Sequence, residues 1–374
     1  MNPFPINNYI SEYYFCDREN ELKILLRNAQ NGINTTLISP RRLGKTGLIL
    51  RFLEELSKEK EIESVYFDID STRSLGDFVH LFAGSILKKF PAKTSIGKQF
   101  MRLIKGFRPS ITFDAITGTP QIQFAYQSSQ DTEYTLSGLL QFLENQPIEI
   151  VVAIDEFQQI AKYPEKNIES LLRTYIQQLK RVHFIFSGSK RHILVEMFSS
   201  ASRPFFSSTQ FLMLKPIASE SYTAFIHNHF EQGKRNISDE SIGFILDWTK
   251  SFTFYTQSVC NRLYATKQKN ITLDFVKSEC ANLLKENQDI YFQYRGLLTS
   301  KQWDFMIALA KEDSVSQLFS KDFLSKQGIG TPSNVRRMID SLLEKEMVLE
   351  LVNINGTTYQ VYDVFLTRWL QTTY

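Results

Sequence analysis

Two short stretches carry residues whose types and spacing could do chemistry. The first is Ser39-Pro40-Arg41-Arg42-Leu43-Gly44-Lys45-Thr46. Lys45 offers a point charge suited to the β- and γ-phosphates of a nucleotide, and the Thr46 hydroxyl is a hard oxygen ligand suited to Mg²⁺. The second is Asp155-Glu156, which directly follows the apolar run Ile148-Glu149-Ile150-Val151-Val152-Ala153-Ile154. A carboxylate at Asp155 suits Mg²⁺ held through water, and one at Glu156 suits the polarising of an attacking water. Brought together, the four residues would suit Mg-ATP. The pattern G-x-x-x-x-G-K-[ST] has glycine where Ser39 stands. Serine fits there if the backbone has no need of positive φ.

For this chemistry to work, the loop must lie between a strand and a helix. Backbone N–H groups of the loop and first helical turn then converge on an anion, and the helix dipole adds partial positive charge. A β-branched and apolar run from Thr35 precedes the loop, and a helical pattern over 47–56 follows it. The nearly continuous apolar run before Asp155 is what a parallel strand covered on both faces requires. Ligands bind such sheets at the C-terminal ends of their strands, where both pairs fall. Residues 64–70 read as a second strand and 75–89 as its helix. Val182 to Ser189 form another buried strand ending in small polar residues, and 210–214 read as a fifth. Alternating segments 108–113 and 121–126 flank Thr117-Gly118-Thr119-Pro120 and predict a hairpin inserted on the main sheet.

From Ser219 to about Gln293 the pattern turns helical, over 222–230, 241–248, 255–264 and 273–285. His227 and His229 are two apart on one of these helices, so they face different sides and make no metal pair. The tail from Thr299 predicts helices over 301–311, 321–327 and 333–345. A hairpin of 347–352 and 357–361 follows, turning at Asn353-Ile354-Asn355-Gly356. Three helices and a hairpin are the winged-helix plan, whose third helix, with Asn334, Arg336 and Arg337, would enter a DNA major groove. Charge restrains that reading. Eight basic residues of the tail face nine acidic ones, so DNA and protein stand as alternative ligands.

The 374 residues exceed one compact core. We expect an α/β core over 1–217, a helical lid over 218–297 and a winged helix over 298–374. A formal charge of +3 gives no bulk argument for nucleic acid. Cys16, Cys260 and Cys280 are odd in number and far apart, which argues for reduced thiols and against zinc. The opening residues lack the regions of a signal peptide, and no apolar run is long enough to span a bilayer. The expectation is a cytoplasmic protein without a membrane partner.

The segments F-C-D-R-E-N-E-L, S-P-R-R-L-G-K-T, V-V-A-I-D-E-F and F-S-G-S, with the closing Y-Q-V-Y-D-V-F-L-T-R-W-L, resemble the archaeal-type ATPases, a branch of the AAA+/STAND P-loop NTPases. The resemblance covers nearly the whole chain. It implies an AAA+-like parallel sheet, ATP and Mg²⁺ as ligands, slow hydrolysis, and roles around mobile DNA or signalling switches. It places Arg18, in the segment before the loop, beside adenine. Ser187 or Ser189 becomes a polar sensor of the γ-phosphate, with Lys190 and Arg191 following on the next helix. Arg203 becomes an arginine that touches the γ-phosphate in cis, or a neighbour's nucleotide in trans within a nucleotide-dependent homo-oligomer. STAND relatives often carry Gly-x-Pro at the lid turn, where this chain has Ser251-Phe252-Thr253. Some relatives add a nuclease-like domain after the winged helix, and none is expected here. The leading expectation is an ATPase whose nucleotide state repositions the winged helix on DNA. A STAND-like switch gripping protein, and a replication-initiator-like loader, are the alternatives.

Overall fold

Alternation along the strands decides the layering of the core. Ile150, Val152 and Ile154 pack with Phe184, Phe186, Val65 and Phe67 on one side of the sheet, whereas Val151 and Ala153 pack with Ile185 and Leu37 on the other. A strand turns successive side chains to opposite faces, so a run apolar at every position has to be covered twice. The computed structural model supplies those two covers. It describes residues 1–374 except 8, 60, 117, 127, 321–322, 324–331 and 354–355.

The chain divides into two compact units, Asn7–Lys215 and a second made of Met1–Ile6 with Pro216–Tyr374. In the first unit, helix α1 (Glu19–Gln30) leads to strand β1 (Thr35–Ile38), helix α2 (Lys45–Leu56), strand β2 (Ile62–Asp68) and helix α3 (Leu75–Lys89). Helix α4 (Ser95–Lys105), the strands β3 (Pro109–Phe113) and β4 (Pro120–Phe124), and helix α5 (Ser129–Glu144) come next. The unit closes with β5 (Glu149–Asp155), α6 (Ile168–Ile176), β6 (Val182–Gly188), α7 (Arg191–Ser199) and β7 (Gln210–Met213). The main sheet is parallel throughout, in the order β2-β5-β6-β1-β7. Helices α1 and α2 cover one face through Leu22, Leu25, Leu48, Ile49 and Phe52. Helices α3, α5, α6 and α7 cover the other. Burying each large apolar side chain contributes about 1.5–3 kcal/mol, so the phosphate-loop strand and the Asp155 strand sit on a rigid platform.

The predicted hairpin forms but does not join the main sheet. β3 and β4 pair antiparallel in a ribbon of their own, with Phe113 opposite Pro120. The Phe124 N–H donates to His80 Nε2 of α3 at 3.0 Å, which ties the ribbon to that helix instead. Helices α4, α5 and α6 add to the expected elements. α5 opens on a capping box, in which Ser128 Oγ accepts from the Asp131 N–H and Asp131 accepts from the Ser128 N–H.

The second unit contains the helices Ser219–Gln232, Asp239–Trp248, Thr253–Ala265 and Leu273–Glu286, then Gln288–Gly296 and Ser300–Lys311. Pro332–Glu344 is a helix, Val348–Asn353 and Gly356–Val361 pair antiparallel, and the helix Val364–Thr373 ends the chain. An isolated antiparallel bridge sets Val315 against Tyr359 on the other side of the second hairpin strand. Most of the tail helix expected at 321–327, and residues 354–355 of the hairpin turn, lie outside the described residues. The N-terminal residues are pinned in this unit: Phe4 is fully buried among Phe225, His229, Phe230 and Tyr264. His229 therefore belongs to an aromatic cluster, while His227 bonds Asp239 at 2.6 Å. Lys250, half-buried and with its pKa lowered first by desolvation, donates to Asp313 Oδ1 at 3.1 Å and to Gln360 Oε1 at 3.0 Å. After the helix Asp239–Trp248, Lys250 and Ser251 both adopt φ of 54° and turn the chain without glycine. Among the described residues no helix is long and apolar enough to cross a membrane.

Candidate nucleotide-binding site

The loop after β1 winds tightly into α2. Arg42 (φ 71°) and Gly44 (φ 88°) take left-handed backbone, and Lys45 and Thr46 become the first two residues of the helix. Gly44 is the residue type that this geometry favours. Ser39 is fully buried and is not among the residues of positive φ, and its hydroxyl donates to the Pro40 carbonyl at 2.7 Å. The serine in the glycine position is therefore accommodated without strain. Leu43 is buried, anchoring the loop, while Arg41 and Arg42 are exposed.

Lys45, Thr46, Asp155, Glu156, Ser187 and Ser189 come together. The Lys45 Nζ lies 2.9 Å from Asp155 Oδ1 and 2.8 Å from Glu156 Oε1. Thr46 Oγ1 donates to Asp155 Oδ2 at 2.9 Å, and Ser187 Oγ donates to Asp155 Oδ1 at 2.6 Å. Ser189 Oγ donates to Glu156 Oε2 at 2.8 Å and receives the Arg41 Nε–H at 3.2 Å. Strand order explains the meeting, because β6 runs between β1 and β5 and delivers Ser187 and Ser189 to both carboxylates. Hydroxyl and carboxylate oxygens in mutual contact are the donor chemistry that Mg²⁺ takes, so Thr46 and Asp155 fit that ion.

Glu156 is held more firmly than a solvated strand end would be. Its backbone is left-handed at φ 54°, directing the side chain away from the strand's own alternation. Burial pushes its carboxyl pKa up, but the Lys45 charge and hydrogen bonds from Lys45, Gln158 and Ser189 outweigh burial and hold it at about 2. Burial and the neighbouring Asp155 carboxylate raise the Tyr66 hydroxyl above its ordinary range.

Three further residues complete the site, and the sequence reading had not singled them out. Gln158 Nε2 donates to Glu156 Oε2 at 2.5 Å, while its own Oε1 is buried with no hydrogen-bond partner among the described residues. Asp68 ends β2 directly opposite Asp155 in the parallel register. Arg51 of α2 is 2% exposed and binds the Asp17 carbonyl at 3.0 Å, Glu19 at 2.9 Å and Glu12 at 3.1 Å, with its guanidinium over the Phe15 ring. It thereby fixes the segment that carries Arg18. The visible signal was a charge beside Leu48 and Phe52 on an otherwise apolar helix face.

Arg18 is buried, with φ of 75°, and reaches the Leu43 carbonyl at 3.3 Å and Glu21 at 2.9 Å. It touches the loop but not the carboxylate cluster. Arg203 is not brought to the cluster; it pairs with Glu169 at 3.2 Å and Glu196 at 3.6 Å. Lys190 caps α7 and Arg191 opens it. In the second unit Asn334, Arg336 and Arg337 are exposed on the helix Pro332–Glu344, with the Arg336 guanidinium 5.6 Å from the Phe319 ring centroid.

A parallel sheet of this order, with a lysine–threonine loop beside an aspartate–glutamate strand end, defines a P-loop NTPase of AAA+-like architecture. The chain belongs to the family described as an ATPase domain predominantly from Archaea, whose model matches residues 15–252, and a probable winged helix domain matches 289–372. Its fold is similar to that of a Walker-type ATPase of Pyrococcus abyssi, at 16% identity and TM-score 0.67, with 99% of each chain covered. It is also similar to the ORC2 protein of Aeropyrum pernix in ADPNP–ADP complexes, at 15% identity and TM-score 0.55, covering 99% of this chain and 98% of that one. Among curated proteins, no sequence matches it.

Proposed function

We propose that the first unit binds Mg-ATP and hydrolyses it slowly, and that its nucleotide state repositions the winged helix to act on DNA. The observation that carries the nucleotide reading is the convergence of Lys45, Thr46, Asp155 and Glu156 on one point at the start of α2. The Aeropyrum pernix relative was solved with ADPNP and ADP, which supports the same ligand here. Lys45 would leave the two carboxylates for the β- and γ-phosphates, and the N–H groups of the first helical turn would bind the same oxygens. Thr46 and Asp155 would hold Mg²⁺, which supplies charge neutralisation at the phosphates. Ser189 and Gln158 orient the Glu156 carboxylate through hydrogen bonds, as a base that polarises water requires. Ser187 orients Asp155. The contacts of Arg203 with Glu169 and Glu196 favour a structural ion pair over a phosphate contact. Arg18 would border the adenine side of the loop.

Within the second unit we read 218–297 as the lid and 298–374 as the winged helix. Its DNA-facing residues would be Asn334, Arg336 and Arg337, all exposed on one helix. Calorimetric titration of Mg-ATP tests the first half of the proposal. Binding that survives unchanged in Lys45→Ala would sink it, because charge-assisted hydrogen bonds worth about 1.5–3 kcal/mol each are removed. Anisotropy of duplex DNA, with and without Mg-ATP, tests the second half. A protein that stays unbound under both conditions leaves the winged helix to a protein partner.

A further inference from the structure

Within the second unit, three helices and Gln288 at the start of a fourth line a half-open cleft of about 320 Å³ that the nucleotide reading does not use. Its floor is one stripe of the helix Leu273–Glu286: Lys277, Cys280, Ala281, Leu284 and Lys285 recur at helical spacing. Phe244 and Trp248, four apart on the helix Asp239–Trp248, form one wall, and Trp369 with Thr372 of the last helix forms the other. No carboxylate lines the cleft among the described residues.

The charges make this more than an apolar groove. Of the helix's three acids, Glu279 and Glu286 are taken by Arg262, each at 2.7 Å, and Asp274, exposed in the first turn, does not line the cleft. Lys277 and Lys285 have no carboxylate partner among the described residues. The Lys277 ammonium instead lies 5.7 Å from the Phe244 ring centroid. Eight residues apart, the two lysines bracket the apolar stripe over a rise of about 12 Å. A small side chain at Ala281 leaves the depth between them. The volume falls at the lower end of small-ligand sites, about 300–1,000 Å³.

We infer that this cleft binds a small amphipathic anion, with an aromatic or aliphatic body between Trp248 and Trp369 and a carboxylate or phosphate head on Lys277 or Lys285. The aromatic walls and Leu284 take the body, and the Thr372 hydroxyl and Gln288 at the rim supply polar contacts to the head. The two ammoniums favour an anion over a neutral compound of the same shape.

The test uses the full chain with 8-anilinonaphthalene-1-sulfonate as a fluorescent probe, 4-phenylbutyrate as the competing anion and 4-phenylbutanol as its uncharged counterpart. The signal assigned to the cleft is the part removed by Ala281→Phe, which fills the floor from an exposed helix position. That subtraction keeps the result independent of whether the P-loop binds nucleotide or probe. Expected are one saturable site in this difference signal, and displacement by phenylbutyrate at concentrations about tenfold below those needed for phenylbutanol, equivalent to about 1.4 kcal/mol. In Lys277→Met/Lys285→Met that preference should vanish while phenylbutanol displaces as before. A difference signal of zero, or equal displacement by acid and alcohol in the unaltered protein, overturns the inference.

Discussion

Replacing Lys45 with methionine keeps the aliphatic stem and removes the charge on which Asp155 and Glu156 both rest. In the unaltered protein Glu156 has a pKa of about 2 against an ordinary 4.5. A depressed carboxylate contributes stability that is fully present above its unfolded pKa and is lost as pH falls through the folded value. At 1.36 kcal/mol per unit, this amounts to about 3 kcal/mol, much of it owed to Lys45. A second route agrees: removing one partner of a buried ion pair costs about 3–5 kcal/mol. In the variant, burial acts on Glu156 with no compensating cation, and the Asp155 charge beside it adds to the cost of ionisation. The Glu156 pKa should therefore rise. Urea unfolding of both proteins without nucleotide, from pH 7 down to pH 3, measures the outcome. The stability difference should be about 3 kcal/mol at pH 7 and shrink as acid protonates Glu156. A difference that does not change with pH would refute the argument, as would one below about 1 kcal/mol at pH 7, the value of an exposed pair.

Three further outcomes follow from the same contacts. Glu156→Gln should leave Mg-ATP binding close to the unaltered affinity while single-turnover hydrolysis falls at least about a hundredfold, the lower range for general-base loss; turnover at the original rate would exclude Glu156 as the base. In Gly188→Ala a new Cβ would lie 1.8 Å from Gln158 Oε1 and 2.8 Å from Leu194 Cδ1, so Gln158 must leave Glu156. Hydrolysis should drop more than Mg-ATP affinity, and unchanged kinetics would mean that Gln158 does not hold the base. Arg336→Ala/Arg337→Ala should flatten the salt dependence of DNA binding by about 1.8 in the slope of log K against log salt, two phosphate contacts at about 0.9 each. An unchanged slope in a protein that binds DNA would place the contact elsewhere.

The chemistry of the site was legible in the sequence because it is written locally. Ser39 to Thr46 carry their own turn and helix start, and the apolar run into Asp155-Glu156 announces a buried parallel strand and its end. Helical periodicity likewise marked the four helices between Ser219 and Glu286 and those at Ser300–Lys311 and Pro332–Glu344, but not Gln288–Gly296 or Val364–Thr373, and the family's motifs pointed to the class. What the sequence left undecided depended on residues far apart in the chain. Lys45 meets Asp155 and Glu156 only because β6 lies between β1 and β5, and no spacing along the chain encodes that order. Arg51 reads as one charge on an apolar helix until Glu12, Asp17 and Glu19 fold over it. Arg203 reads in the sequence only as a basic residue ahead of the strand at 210–213, and its partners Glu169 and Glu196 are set by tertiary packing. The hairpin of β3 and β4 has the alternation of any antiparallel pair, which sets the pairing of its two strands but not the surface they dock against. Patterns of period 2 and 3.6 specify which face of an element is apolar, whereas the partner that covers that face is chosen by the packing of the whole unit.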